Sequence, residues 1–100
     1  IIKSNLEYTA IFSACDIMCF GIKKAVEECG LSIPEDISLV GYDDIPFSSI
    51  IGLTTVSSLV YEMGKNAVLA ILNIITGRVK ENINITLQPN IVIRNSCRKL

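Results

Sequence analysis

The chain has 100 residues, half of them hydrophobic, with nine Lys and Arg against ten Asp and Glu and a net charge of −1. That length allows one small domain at most, and so apolar a composition excludes a disordered chain. A near-neutral charge with no basic stripe argues against direct nucleic-acid contact by this segment. No apolar run approaches the roughly 20 residues that span a bilayer, and the start IIKSNLEY lacks the features of a secretory signal.

Ile1 to Tyr8 carries no motif and reads as a loop or the tail of an earlier helix. Thr9 to Ala14 is a short apolar run that suits a strand buried on both faces. Asp16 follows, a residue type that caps helices through its side-chain oxygen. Met18, Ile22, Ala25, Val26 and Cys29 then fall at helical spacing as one apolar stripe, and Gly30 supplies a left-handed stop. Gly30 to Ile37 reads as a loop, and Ser38 to Tyr42 as a second buried strand that ends at Asp43–Asp44. Two strands joined by an amphipathic helix form a βαβ unit with parallel strands.

Ile45 to Gly52 reads as a surface connection, and Leu53 to Ser57, rich in β-branched residues, as a third strand. Ser58 is placed to cap the longest helix, in which Val60, Met63, Gly64, Ala67, Val68, Ile71, Leu72 and Ile75 repeat until Gly77 stops them. Leu69 and Ile74 widen that apolar face beyond what one βαβ unit can cover, which points to a fragment of a larger domain or to an obligate partner. Arg78 to Asn82 is a polar connector. Ile83 to Ser96 holds two β-type runs around Gln88–Pro89–Asn90, as a kinked strand or a hairpin.

In open parallel sheets, ligands bind outside the carboxyl ends of the strands. Asp16 and Asp43–Asp44 both occur at such ends and could face one crevice. Asp16 reads equally as a helix cap, and Asp43–Asp44 as a solvated turn. Of the four cysteines, Cys15, Cys19, Cys29 and Cys97, the first two are four apart, a spacing a helix end could bring together, but a metal site would need more ligands than that pair, and there is no histidine. They fit a reduced, intracellular setting.

Five stretches carry a resemblance in order: Ala14, Asp16, Met18 and Gly21 as A-x-D-x-M-x-x-G; Gly30 to Ser38 as G-L-x-x-P-x-D-I-S; Gly41 to Asp44 as G-Y-D-D; Leu53 to Val56 as L-T-T-V; and Glu62 to Gly64 as E-M-G. Together they resemble the C-terminal part of the lactose-repressor/galactose-repressor family, whose effector-binding domain is similar to periplasmic sugar-binding proteins. The resemblance implies an α/β fold: a partial type I periplasmic-binding-protein-like fold, with a parallel sheet and flanking helices, covering about the last third of a two-lobe domain. Residues 9–52 would be a second-lobe βαβ unit, 53–58 the crossing between lobes, 59–77 a helix returning to the first lobe, and 83–96 terminal strand segments. Asp16 would accept hydrogen bonds from a small-molecule effector, a sugar, and Ser58 would lie near it where many relatives have Gln. A homodimer follows, in part through the helix after Asp16, with DNA reached only through a headpiece this chain does not contain. The resemblance implies a cytoplasmic repressor that is not an enzyme and uses no cofactor, no metal and no membrane. Cys15 replaces the family's common Asn, and Ser58–Leu59 its usual Gln–Pro.

Two alternatives remain beside this reading. One is a sugar-binding protein of a transport system with the same lobes. The other is an enzyme or phosphoacceptor holding magnesium at Asp43–Asp44. The second lacks a glycine-rich phosphate loop, a nucleophile elbow and a histidine base.

Overall fold

The computed structural model describes residues 8–78 and 83–99; the expectations for residues 1–7 and 79–82 lie outside them. The described residues fall into two compact units, residues 8–58 with 90–99, and residues 59–78 with 83–89.

The first unit is a four-stranded sheet in the order β1 (Ala10–Phe12), β2 (Ser38–Tyr42), β3 (Thr54–Ser57), β4 (Asn90–Val92), with α1 (Asp16–Glu28) and the short α2 (Pro46–Ile50) as its crossovers. β1, β2 and β3 run parallel, with Phe12 beside Val40 and Tyr42 beside Val56. β4 returns antiparallel, pairing Val92 with Thr55 and Asn90 with Ser57. The strand–helix–strand reading of residues 9–42 therefore holds. Of the two β-type runs after Ile83, only the second forms a strand, and it pairs with β3, so the two do not make a hairpin.

The core lies between α1 and one face of the sheet. Cys19, Val26, Ile37, Leu39 and Leu53 are buried, and Ile11, Ile22, Ile33 and Ile51 pack against the cluster of Cys19, Leu39 and Leu53. Burying a side chain such as Leu39 or Leu53 contributes roughly 1.5–3 kcal/mol. β2 alternates between buried and half-buried residues, as expected where a helix covers one face of a strand. β1 departs from the expectation of burial on both faces, because it is an edge strand in which only Ile11 turns toward α1 and Phe12 stays exposed.

The inward face of α1 also differs from the expected stripe. Asp16, Cys19 and Val26 are buried, while Met18 and Cys29 are exposed. A helix turns about 100° per residue, so positions 16, 19, 22 and 26 share a side. The first of these is a carboxylate, which a count of apolar residues passes over. The outer face carries the pairs Lys23–Glu27 at 2.7 Å and Lys24–Glu28 at 4.0 Å, each worth a few tenths of a kcal/mol. Gly30, at φ 74°, ends the helix as expected, with Gly30 N donating to Glu27 O and Leu31 N to Val26 O. The predicted surface connection after Asp44 contains α2 instead. Pro46 opens it with a φ already suited to a first turn, and Ser48 is buried beneath it.

The second unit is built on α3 (Val60–Ile75), close to its predicted bounds and followed by Gly77 at φ 66°. Its N-cap is Leu59 in the left-handed region, with no side-chain cap bond, so Ser58 does not cap it. None of its residues is buried, and Val60, Tyr61, Val68, Ile71 and Ile75 are more than half exposed.

Candidate functional site

The carboxyl ends of the three parallel strands lead into Cys15–Asp16 after β1, Asp43–Asp44 after β2 and Ser58 after β3. The two acidic turns are brought together, since Ile45 N, just past Asp44, donates to Asp16 Oδ2 at 3.1 Å.

Asp16 itself is fully buried. Ser48 Oγ donates to its Oδ2 at 2.6 Å and Thr55 Oγ1 to its Oδ1 at 2.6 Å, and both of those residues are fully buried as well. The carboxylate thus joins the start of α1, the entry to α2 and the middle of β3. Gly41 makes room for it: a Cβ at that position would collide with Asp16 Oδ1. A carboxylate with no exposed surface and three internal donors ties these elements together structurally. Its cap role is absent: Cys15 occupies the N-cap position, and no side chain caps the helix.

Asp44 is also engaged. Arg94 Nη2 donates to its Oδ1 at 2.7 Å, while Arg94 Nη1 donates to Leu53 O at 2.8 Å. Asp43 differs from both. Its backbone N–H donates to Val56 O at 2.8 Å, but among the described residues its carboxylate has neither a hydrogen bond nor an ion pair, and the residue is half-buried. Both turn residues have positive φ, 114° at Asp43 and 56° at Asp44, a region non-glycine residues seldom occupy. Ser58 follows β3 directly, and its hydroxyl is buried without a hydrogen-bond partner among the described residues.

Below these ends, Cys19 Sγ lies 3.7 Å from Cys15 O and 3.9 Å from Val40 O. Burial pushes its thiol pKa up, the neighbouring Asp16 and Cys15 add to the rise, and a hydrogen bond with Ser13 opposes it. Among the described residues, no three His, Cys, Asp or Glu side chains cluster to hold a metal ion, and no helix is long and apolar enough to cross a membrane.

The sequence pointed to Asp43–Asp44 without separating the two, gave Gly41 no role beyond its motif, and did not single out Ser48, Thr55 or Arg94. The available signal was Gly41 itself, a small residue inside an otherwise bulky strand, which marks close approach by another group.

The family model for the periplasmic binding protein-like domain matches residues 2–97. The HTH-type transcriptional repressor PurR of Vibrio campbellii is 36% identical over 94 residues, which are 92% of this chain but only 28% of that repressor. A LacI family transcriptional regulator from Enterococcus faecium, solved with bound ribose, superposes with a TM-score of 0.88 at 33% identity, over 96% of this chain and 37% of that one. The dimeric lac repressor with an 11-residue C-terminal deletion does so with a TM-score of 0.81 at 35% identity, over 89% of this chain and 33% of that one. The chain belongs to the periplasmic binding protein-like family, and its relatives there are transcriptional regulators of the LacI type.

Proposed function

We propose that this chain is the C-terminal portion of an effector-binding domain in a LacI-type transcriptional repressor, and that its effector is a sugar met at the carboxyl ends of β1, β2 and β3. In this reading, residues 53–58 form the crossing between two lobes and residues 59–77 the return to the first lobe. The protein works as a cytoplasmic homodimer without enzymatic activity, and a DNA-binding headpiece elsewhere in the full-length protein contacts the operator. The ribose bound to the Enterococcus faecium relative supports the effector class. The dimeric state of the lac repressor supports the assembly, as do the exposed Ile17 and Met18 of α1 and the exposed Phe47 and Ile50 of α2.

One observation carries the choice of residue. Of the three acids at this end, Asp16 is sealed and Asp44 is paired, whereas Asp43 keeps its carboxylate unengaged among the described residues. A carboxylate can accept from two sugar hydroxyls. Ser58, with its hydroxyl still unpartnered, is a second contact in this proposal. The test is calorimetric titration of the full-length protein with a sugar panel that includes ribose. Losing a hydrogen bond to a charged group costs about 1.5–3 kcal/mol, so Asp43→Asn should weaken binding roughly 10- to 100-fold. No binding by any sugar would overturn the effector class, and unchanged affinity in Asp43→Asn would overturn the role of Asp43.

A further inference from the structure

Three consecutive residues, Asp43, Asp44 and Ile45, are each held by a different part of the first unit. Asp43 N donates to Val56 O in β3, Asp44 Oδ1 accepts from Arg94 after β4, and Ile45 N donates to Asp16 at the start of α1. Two of the three are non-glycine residues at positive φ. Such backbones persist where the surroundings over-determine them.

Arg94 is itself fixed at two further points. Its backbone N–H donates to Thr54 Oγ1 at 2.9 Å, and Nη1 donates to Leu53 O. Its guanidinium therefore spans a backbone carbonyl next to β3 and a carboxylate in the turn. A planar fork can do this, and a single ammonium cannot hold both in the same way. The side chains of Arg94 and Asp44 are 19% and 24% exposed, so the pair is largely shielded, unlike the ion pairs on α1.

We infer that Arg94 is a positioning residue: by holding Asp44 it fixes the left-handed turn that presents the neighbouring Asp43 carboxylate. Adjacent acids then have separate tasks, one as a strut and the other as the presented group. The inference rests on the proposed role of Asp43 for its purpose, but the turn geometry can be read without any effector.

The test is residue-resolved amide hydrogen exchange on the whole chain, comparing wild type with Arg94→Gln, Arg94→Lys, Asp44→Asn and the Asp44→Asn/Arg94→Gln double variant. The amides of Asp43 and Ile45 should exchange at least tenfold faster in Arg94→Gln and in Asp44→Asn. The double variant should be no faster than Arg94→Gln, since both single variants remove the Arg94–Asp44 pair and only Arg94→Gln also removes the bond to Leu53. Arg94→Lys should recover part of the protection. Strand amides such as Val40 should stay within twofold of wild type, which a purely global loss of stability would not allow. Asp44→Asn leaves the bonds of Arg94 to Leu53 and Thr54 intact, so it carries the comparison if Arg94→Gln does not fold. Unchanged exchange at Asp43 and Ile45 would overturn the inference, as would additive single variants or equal acceleration of every amide. Because no effector is used, failure here is separate from failure of the sugar titration.

Discussion

Removing the buried carboxylate, Asp16→Ala, tests its structural role most directly. Three donors lose their acceptor at once: the hydroxyls of the fully buried Ser48 and Thr55, and the Ile45 amide. Leaving a buried donor unsatisfied costs about 1–3 kcal/mol, and rotation of the hydroxyls recovers part of that. The sum is about 3 to 6 kcal/mol, a large share of the roughly 5–15 kcal/mol that stabilises an ordinary domain. Asp16→Asn keeps the shape and one acceptor oxygen, so its cost should be smaller, about 1 to 3 kcal/mol. Urea unfolding followed by circular dichroism, at matched protein concentration, measures the difference. With a slope of about 1.5 kcal/mol/M, the midpoint of Asp16→Ala should fall by about 2 M or lose its folded baseline altogether. An acid serving only a ligand would leave the midpoint almost unmoved or raise it. A shift below about 0.3 M would therefore refute the structural role and return Asp16 to the effector site.

The same tie predicts that Gly41→Ala is as damaging as Asp16→Ala, since the new Cβ would collide with Asp16 Oδ1; a Tm within about 2 °C of wild type in a thermal melt would contradict it. Asp36 offers a check on pH. Ser32 holds its carboxyl below the ordinary aspartate pKa of about 3.9, mainly by its hydroxyl and then by its backbone N–H. That contribution to stability is complete above the unfolded value and is lost as pH falls through the lower folded value. Carboxyl NMR should show Asp36 titrating low in wild type and moving up in Ser32→Ala, and an unmoved titration would count against the bond. The exposed apolar residues of α3, with Ile17, Met18, Phe47 and Ile50 of the first unit, predict that the isolated chain self-associates. Sedimentation velocity showing a monomer at high concentration would refute this.

What was legible in the sequence was the part governed by local period and punctuation. β2 and α3 appear near their predicted bounds, and Gly30 and Gly77 take the left-handed conformation their positions suggested. The βαβ unit followed from the order of these elements, and the periplasmic-binding-protein-like fold class from the resemblance carried by the five motif stretches. What could not be read depended on tertiary contacts. The inward side of α1 is chosen by Asp16, and no hydrophobicity scale assigns a carboxylate to the core. α2 is a five-residue helix, too short to show a period, with Pro46 as its local cue. Ser58 has the composition of a cap, yet Leu59 takes the cap position in a left-handed conformation that its side chain does not announce.

Residue type and strand-end position do not by themselves separate the three acids. Asp16, Asp43 and Asp44 all follow strands of one parallel sheet, where a ligand would be expected. Their roles diverge according to the donors each one meets. Asp16 meets two hydroxyls and an amide behind a glycine, so its charge is consumed internally. Asp44 meets a guanidinium already anchored to Leu53, so its charge holds the backbone. Among the described residues, Asp43 receives neither, although its own amide is tied to β3. In the proposed reading, these two engaged carboxylates confine the position of a third whose hydrogen-bonding capacity is open among the described residues. This arrangement suits recognition, because a binding group contributes most when its geometry is set before the ligand arrives.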